Sequence, residues 1–154
     1  MNLRVSAVQY HLHTIRSFEE FESQVKHYVK TAEEFGSDFI LFPEFFTTQL
    51  LSIGDEKGHA LPIYRLPDFT EKYRSLFIEL AINTGMHIIG GTHVIEKEGK
   101  LYNVAHLFYP DGRVAEQAKL HITPTEVEEW NMSAGDSLQV FVTDKGTIAM
   151  LTCY

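Results

Sequence analysis

Apolar residues in the first part of the chain alternate between strand-like and helix-like periods. Residues 3–9 place apolar side chains at every second position, which predicts a half-buried strand. Ser17 and Glu20 have the spacing of a helical capping box, and apolar residues then recur every three or four positions until Gly36. The short apolar run at 39–42 predicts a second, buried strand. The chain therefore opens with a predicted β-α-β unit.

The middle of the chain repeats this order after a less regular segment. Residues 45–66 show no clear period, which predicts a loop that holds a helical turn at most. Asp68 and Glu71 have capping-box spacing, and the apolar positions behind them predict a second helix that ends at Gly85. Residues 87–94 predict a third strand, in which two adjacent glycines allow another backbone to approach closely.

The last third of the chain predicts hairpins instead of helices. Strands at 101–109 and 113–120 flank the turn-forming segment 110–112, and a polar loop follows over 123–136. A final hairpin is predicted over 138–152. Helices that alternate with strands, followed by hairpins, indicate an α/β layered fold with a mixed sheet.

Composition narrows the class of protein. The chain has 154 residues, of which 44% are hydrophobic and 22% charged, which is typical of a single globular domain over residues 1–154. Its net charge of −8 argues against binding to nucleic acid or to an anionic membrane. No apolar run approaches the ~20 residues of a membrane span, and we recognise no signal peptide. The single cysteine, Cys153, excludes an intrachain disulfide, so we expect a reducing compartment, the cytoplasm.

Three chemically competent residues lie at the ends of predicted strands, where catalytic side chains collect in α/β proteins. Cys153 suits a nucleophile, although a lone cysteine also serves as a small buried hydrophobe. Glu44 suits a general base, and Lys119 suits a cation that stabilises a thiolate and an oxyanion. Each of these two charges would also be ordinary on a solvated surface. The eight histidines have no zinc-type spacing with the cysteine, so we expect no metal site.

The order of these residues resembles the nitrilase, or carbon–nitrogen hydrolase, superfamily. Six ordered segments carry the resemblance: residues 5–9, Leu41-Phe42-Pro43-Glu44, Tyr102-Asn103 with Pro110-Asp111-Gly112, Lys119-Leu120-His121, Gly135-Asp136, and Leu151-Thr152-Cys153-Tyr154. The resemblance implies an α-β-β-α sandwich. It also implies that Glu44, Lys119 and Cys153 form a catalytic triad that acts through a thioester and requires no cofactor.

The implied activity is hydrolysis of a non-peptide carbon–nitrogen bond in a small amide or carbamoyl compound. Nitrile hydrolysis and N-acyl transfer use the same three residues and stay open as alternatives. An inactive fragment and a non-catalytic α/β binding module stay open as well. Family members assemble as homodimers or larger homo-oligomers, so we expect the intact protein to self-associate.

The resemblance further implies a second glutamate in the loop after the lysine, which orients the lysine and the substrate. Glu126, Glu128 and Glu129 are the candidates. Counting back from Gly135 favours Glu128, whereas adjacency to Pro124 favours Glu126. We select Glu128.

Aromatic residues near the candidate triad are candidates for contact with the substrate. Phe45, Trp130 and Tyr154 flank the catalytic positions, and core packing is an equal alternative for Phe45 and Trp130. Residues 147–151 are apolar on both faces, which predicts a strand with neighbours on either side. The family domain continues past its cysteine, so we expect this sequence to cover about the first half of such a domain.

Overall fold

Strands and helices alternate along the computed structural model, which describes residues 2–54 and 57–153. The elements in chain order are β1 Val5–Ala7, α1 Phe18–Glu34, β2 Phe39–Leu41, 3₁₀-helices at Phe46–Ser52 and Pro62–Phe69, α2 Thr70–Thr84, β3 His87–Lys97, β4 Lys100–Phe108, β5 Val114–Ala118, α3 Pro124–Glu128, β6 Phe141–Thr143 and β7 Gly146–Ile148.

Five strands form one mixed sheet in the order β1-β2-β3-β4-β5. Strands β1, β2 and β3 are mutually parallel, and β4 and β5 each run antiparallel to the preceding strand. Strand β5 therefore points in the same direction as β2, so the C-terminal ends of both strands lie at one edge of the sheet. The predicted α/β class and the mixed sheet are confirmed.

The two faces of the sheet bury different clusters, because successive side chains of a strand point in opposite directions. Both long helices pack on one face. The main core there includes Phe21, Val25, Tyr73, Phe77, Ile40 and Ile88. On the other face, Phe39 and Leu107 pack against Phe141 and Met150. The β6–β7 hairpin therefore covers part of this second face, and the described residues form a helical layer, a sheet and a second β layer.

The helix starts differ from the predicted capping boxes. Ser17 is the N-cap of α1, but its side chain forms no capping hydrogen bond, and Glu20 instead accepts one from the backbone N–H of Arg16 at 2.9 Å. Helix α2 follows directly on the second 3₁₀-helix, and its N-cap Phe69 already has helical dihedral angles (φ −93°, ψ −3°). The capping role predicted for Asp68 is therefore wrong, because the backbone reaches α2 already coiled.

Two predicted irregular segments contain helices, and the last predicted strand is shorter than expected. The segment at 45–66 holds the first 3₁₀-helix and the start of the second, and the loop at 123–136 contains α3. Strand β7 ends at Ile148 and pairs, among the described residues, with β6 alone. Leu151 is 74% exposed. Within the described part of the chain, residues 147–151 therefore have one neighbouring strand, and the second neighbour that their apolar faces predict stays a prediction.

Candidate active site

The turn that carries Glu44 continues directly from β2. The backbone N–H of Phe42 donates to the carbonyl of Ile89 at 2.9 Å, which extends the β2–β3 ladder by one residue. Phe45 then takes a left-handed conformation with φ 56°, and its N–H donates to Oγ1 of Thr92 at 2.8 Å. This side-chain acceptor on β3 holds the turn, so Glu44 is fixed at the C-terminal edge of the sheet.

A glycine in β3 makes room for this turn. The register of β3 against β4 shifts between Ile89 and Thr92, and Gly91 has φ +62° within that irregularity. A Cβ at Gly91 would lie 2.3 Å from the carbonyl oxygen of Pro43. Only glycine is compatible with both the backbone angle and the close approach. The expected close backbone approach at the paired glycines is therefore confirmed.

Lys119 follows directly after β5 and lies at the same edge of the sheet as Glu44. Its backbone N–H donates to the carbonyl of Asn103 at 2.8 Å, and its carbonyl accepts from the N–H of Gly135 at 2.8 Å. Its side chain is only 2% exposed. Nζ donates to Oε1 of Glu44 and to Oε2 of Glu126, each at 2.8 Å. Glu44 and Lys119, predicted at separate strand ends, therefore meet in a direct ion pair.

The glutamate that contacts the lysine is Glu126, which α3 holds in place. Thr123 is the N-cap of α3, and its Oγ1 accepts from the N–H of Glu126 at 3.3 Å. In return, the N–H of Thr123 donates to Oε2 of Glu126 at 2.7 Å, which completes a capping box. Pro124 at the first helical position is compatible with this start because it lacks only an unpaired N–H.

The selection of Glu128 is therefore wrong. Glu128 is exposed, and two residues along a helix turn a side chain by about 200°, away from the face that Glu126 presents to Lys119. Glu129 is exposed as well. The sequence carried a signal for Glu126, since Thr123-Pro124-Thr125-Glu126 has the T-x-x-E spacing of a capping box.

Hydrogen bonding keeps both buried partners charged. Burial opposes the charge of Lys119, but its hydrogen bonds to Glu126 and Glu44 outweigh this effect and raise its pKa. Burial also opposes the charge of Glu126, but hydrogen bonds from Lys119, Thr123 and Asn103 outweigh it and lower the pKa of Glu126. Near neutral pH the lysine is therefore an ammonium ion and Glu126 a carboxylate.

Asn103 completes the cluster and had no role in the sequence analysis beyond its motif. Its side chain lies on β4 and is 1% exposed. Nδ2 donates to Oε1 of Glu44 at 2.9 Å and to Oε1 of Glu126 at 3.2 Å. The sequence did contain a signal that Asn103 is buried, because this amide side chain lies on the same strand face as the apolar residues Leu101 and Ala105.

Cys153 lies beside this cluster. It lines a cleft of about 390 Å³ together with Glu44, and a second cleft of about 340 Å³ together with Lys119. Met150 and Leu151 border both clefts. Cys153 is exposed and has φ 53°, and its thiol forms no hydrogen bond to any residue in 2–54 or 57–153. The charged cluster therefore forms without the cysteine, which lines both clefts.

Two of the three proposed aromatic contacts pack beside the cluster. The rings of Phe45 and Trp130 meet edge to face at 5.7 Å, and Nζ of Lys119 lies 5.8 Å from the centre of the Phe45 ring. Both rings also pack against the main core. Tyr154 lies outside the described residues. The substrate contacts of these aromatics stay predictions.

The described ranges contain neither a metal-binding cluster nor a membrane-spanning helix. Residues 2–54 and 57–153 contain no group of three or more histidine, cysteine or acidic side chains placed to hold a metal ion. In the same ranges, no helix combines the length and apolar character of a membrane span.

Comparison with known proteins identifies the family. Residues 4–154 match the family model described as carbon-nitrogen hydrolase. The chain belongs to the carbon-nitrogen hydrolase family. It is 49% identical over 152 residues to the probable hydrolase YhcX of Bacillus subtilis, covering 99% of this chain and 30% of that protein. It is 28% identical to the omega-amidase NIT2 of Xenopus tropicalis, covering 98% of this chain and 54% of that protein.

Solved structures of carbon-nitrogen hydrolases share the fold. The CN-hydrolase superfamily protein XC1258 of Xanthomonas campestris matches with a TM-score of 0.77 at 20% identity, covering 99% of this chain and 53% of that one. Nit3 of Saccharomyces cerevisiae, from the nitrilase superfamily, matches with a TM-score of 0.75 at 17% identity, covering 99% and 55%. The nitrilase-type fold is therefore confirmed, and the chain spans between about a third and a half of these relatives.

Proposed function

We propose that the native protein hydrolyses a non-peptide carbon–nitrogen bond of the amide type. The observation that carries the proposal is the buried contact of Lys119 with Glu44 and Glu126, next to two clefts that Cys153 borders. An acid–base group, a fixed cation and a thiol are the components of acyl transfer through a thioester. The similarity to a protein named omega-amidase supports the amide class.

In the proposed mechanism, Glu44 first takes the thiol proton of Cys153. The sulfur attacks the carbonyl carbon, a C–S bond forms, and the π electron pair moves onto the carbonyl oxygen. Lys119 and a backbone N–H near Tyr154 stabilise that oxyanion. When the carbonyl re-forms, the C–N bond breaks and the amine leaves with the proton held by Glu44.

The remaining thioester is hydrolysed by the same groups. Glu44 takes a proton from water, the hydroxide adds to the thioester carbon, and the C–S bond breaks to release the carboxylic acid. The departing sulfur recovers the proton from Glu44, which restores the starting state. Glu126 contacts no reacting atom in this scheme and keeps Lys119 charged and oriented.

Removing the nucleophile and the base tests the proposal directly. In the native protein, Cys153→Ala should abolish ammonia release from small linear amides and carbamoyl compounds, because alanine lacks the sulfur that attacks the carbonyl carbon. Glu44→Gln keeps the shape of the side chain and should reduce turnover by about 10²–10⁴-fold, the contribution typical of general acid–base catalysis. Glu129→Gln, in an exposed loop position, is the matched control. Near-normal turnover in Cys153→Ala or Glu44→Gln would refute the mechanism.

Thiol alkylation distinguishes the enzyme from a binding module. An activated Cys153 should react with iodoacetamide at neutral pH much faster than a free cysteine, and Glu44→Gln should remove most of the difference. A binding module in which these side chains do not cooperate would alkylate at the rate of a model thiol in both forms. The reaction also requires a reduced thiol, which favours a reducing compartment such as the cytoplasm.

We also propose that the protein forms a homo-oligomer. Strand β1 lies at one edge of the five-stranded sheet, and its Val5 is 53% exposed. Exposed strand edges and apolar side chains favour association of chains. Size-exclusion chromatography with light scattering should give a mass above that of a monomer, and a concentration-independent monomer would contradict the expectation.

A further inference from the structure

Asn103 connects the two glutamates that share Lys119. Its Nδ2 donates one N–H to Oε1 of Glu44 and the other to Oε1 of Glu126, at 2.9 and 3.2 Å. Its Oδ1 is buried and has no hydrogen-bond partner among the described residues. A buried acceptor that is left without a hydrogen bond is costly, so the position of this amide calls for an explanation.

The chemistry of the neighbours sets the orientation of this amide. A carboxylate only accepts hydrogen bonds, so an inverted Asn103 would place its oxygen against oxygens of both Glu44 and Glu126. The charges of the cluster sum to −1, because two carboxylates share the ammonium group of Lys119. Asn103 adds two polarised N–H donors to this excess of negative charge without adding a proton that titrates.

Hydrogen-bond donors are distributed unequally over the four carboxylate oxygens of Glu44 and Glu126. Oε1 of Glu44 accepts from Lys119 and from Asn103, whereas Oε2 of Glu44 accepts from no described residue. Both oxygens of Glu126 are occupied, Oε1 by Asn103 and Oε2 by Lys119 and the N–H of Thr123. The Glu44 side chain is 28% exposed, and that of Glu126 is 2% exposed.

We propose that Asn103 is a positioning residue that holds Oε1 of Glu44 and Oε1 of Glu126 together, so that Oε2 of Glu44 is the oxygen that exchanges the proton. This inference rests on the proposed function, since it assigns the reactive atom of the proposed base. Lys119 alone fixes one distance to Glu44 and leaves rotation of the carboxylate about that contact open. The second donor from Asn103 fixes the carboxylate plane, and it keeps Glu126 ionised without drawing Lys119 away from Glu44.

Two substitutions at Asn103 and one control test the proposal in the native protein. Asn103→Leu removes both donors at similar size, and Asn103→Asp keeps the shape while replacing the donors by a further acceptor. The control is His106→Leu, which removes a buried polar side chain three residues further along β4, on the opposite face against Tyr73. The readouts are kcat, KM, the pH dependence of kcat, and the titration of the Glu126 carboxyl group by carbon-13 NMR, assigned with Glu126→Gln.

We expect Asn103→Leu to lower kcat by about 10- to 100-fold with KM within about threefold, because the base is misplaced while the clefts persist. The pKa of Glu126 should rise by at least about one unit, because a charge-assisted hydrogen bond is lost. Asn103→Asp should reduce kcat further despite its unchanged shape. His106→Leu should lower stability and leave kcat and the Glu126 titration unchanged.

An Asn103→Leu protein with wild-type kcat, pH dependence and Glu126 titration would overturn the proposal. If Asn103→Leu does not fold, the same readouts on Asn103→Asp decide, and a wild-type titration of Glu126 there would overturn it as well. A wild-type protein that hydrolyses no amide, nitrile or carbamoyl compound would refute the proposed function. It would also overturn the assignment of Oε2 of Glu44 as the oxygen that exchanges the proton. The Glu126 titration would separately report whether Asn103 holds Glu44 and Glu126 together.

Discussion

At the scale of single residues, hydrogen bonding makes the carboxylates of Glu44 and Glu126 differ in their capacity to accept a proton. Glu126 is almost fully buried and has donors on both oxygens, so a proton added to it would displace an existing hydrogen bond. Glu44 is partly exposed and has one oxygen without a donor among the described residues. The acid–base role therefore suits Glu44, and the charge-holding role suits Glu126.

Replacing Glu126 should destabilise the folded protein, whereas replacing Glu128 should not. Glu126→Gln leaves a buried Lys119 with Glu44 as its remaining charged partner, which should lower the free energy of unfolding by about 3 kcal/mol, as when a buried ion pair is broken. Glu128→Gln changes an exposed side chain and should alter the free energy of unfolding by less than about 0.5 kcal/mol. Urea unfolding followed by Trp130 fluorescence measures both. Equal stability of the two variants would contradict the assignment.

At the scale of elements, the site depends on the irregularity in β3. Its local shift of register lets Gly91 lie against the carbonyl of Pro43 and places Thr92 where it accepts the N–H of Phe45. The turn after β2 is therefore held by the neighbouring strand more than by its own residues. A change in β3 should be transmitted to Glu44 even though β3 contributes no group to the charged cluster.

Two glycines of the β3–β4 hairpin allow a matched test of this dependence. Gly91 and Gly99 have φ +62° and +73°, so alanine at either position should cost about 1–2 kcal/mol of backbone strain. A Cβ at Gly99 meets no atom within 4 Å, whereas one at Gly91 meets the Pro43 carbonyl. Gly91→Ala should therefore cost about 1–3 kcal/mol more, as overpacking does, and should reduce turnover. Equal unfolding free energies and turnover in the two variants would show that the turn does not depend on this contact.

At the scale of the whole molecule, a buried histidine links the helical layer to the sheet. His93 on β3 hydrogen-bonds Thr47 of the first 3₁₀-helix through Nδ1 and Thr70 of α2 through Nε2, each at 3.1 Å. Its ring stacks on Tyr73 at 4.7 Å. Burial, with a smaller contribution from the neighbouring His106, lowers the pKa of His93 to about 3. Packing of the two layers therefore requires a neutral imidazole.

This histidine should make the protein less stable in mild acid. The unfolded chain binds a proton at an ordinary histidine pKa of about 6.5, whereas folded His93 does not until about pH 3, so stability falls as the pH decreases between these values. The loss from pH 7 to pH 5 should be about 2 kcal/mol. His93→Gln should remove that part of the pH dependence, and the exposed His27→Gln should not. An identical pH dependence in wild type and His93→Gln would exclude His93 as its source.

Local patterns predicted the elements well and their ends less well. The long helices and the β3–β4–β5 hairpins follow from apolar periods, because burial of one face requires a fixed repeat. The start of α2 was wrong because the preceding 3₁₀-helix changes which residue begins the helix. Helix α3 was missed because its five residues are too few to show a period. Its capping box was nevertheless visible in the sequence.

The sequence by itself determined the strands after which Glu44 and Lys119 lie, whereas their parallel direction, which brings both side chains to one edge of the sheet, follows from the strand pairing of the structure. It left open which of three glutamates reaches the lysine, and it assigned no contact to Asn103. Only the tertiary structure decided these points, because the contacts join β2, β4, β5 and α3 across separations as large as 75 residues between Glu44 and Lys119. A period describes which face of one element is buried, whereas a hydrogen bond between elements depends on how several of them pack together.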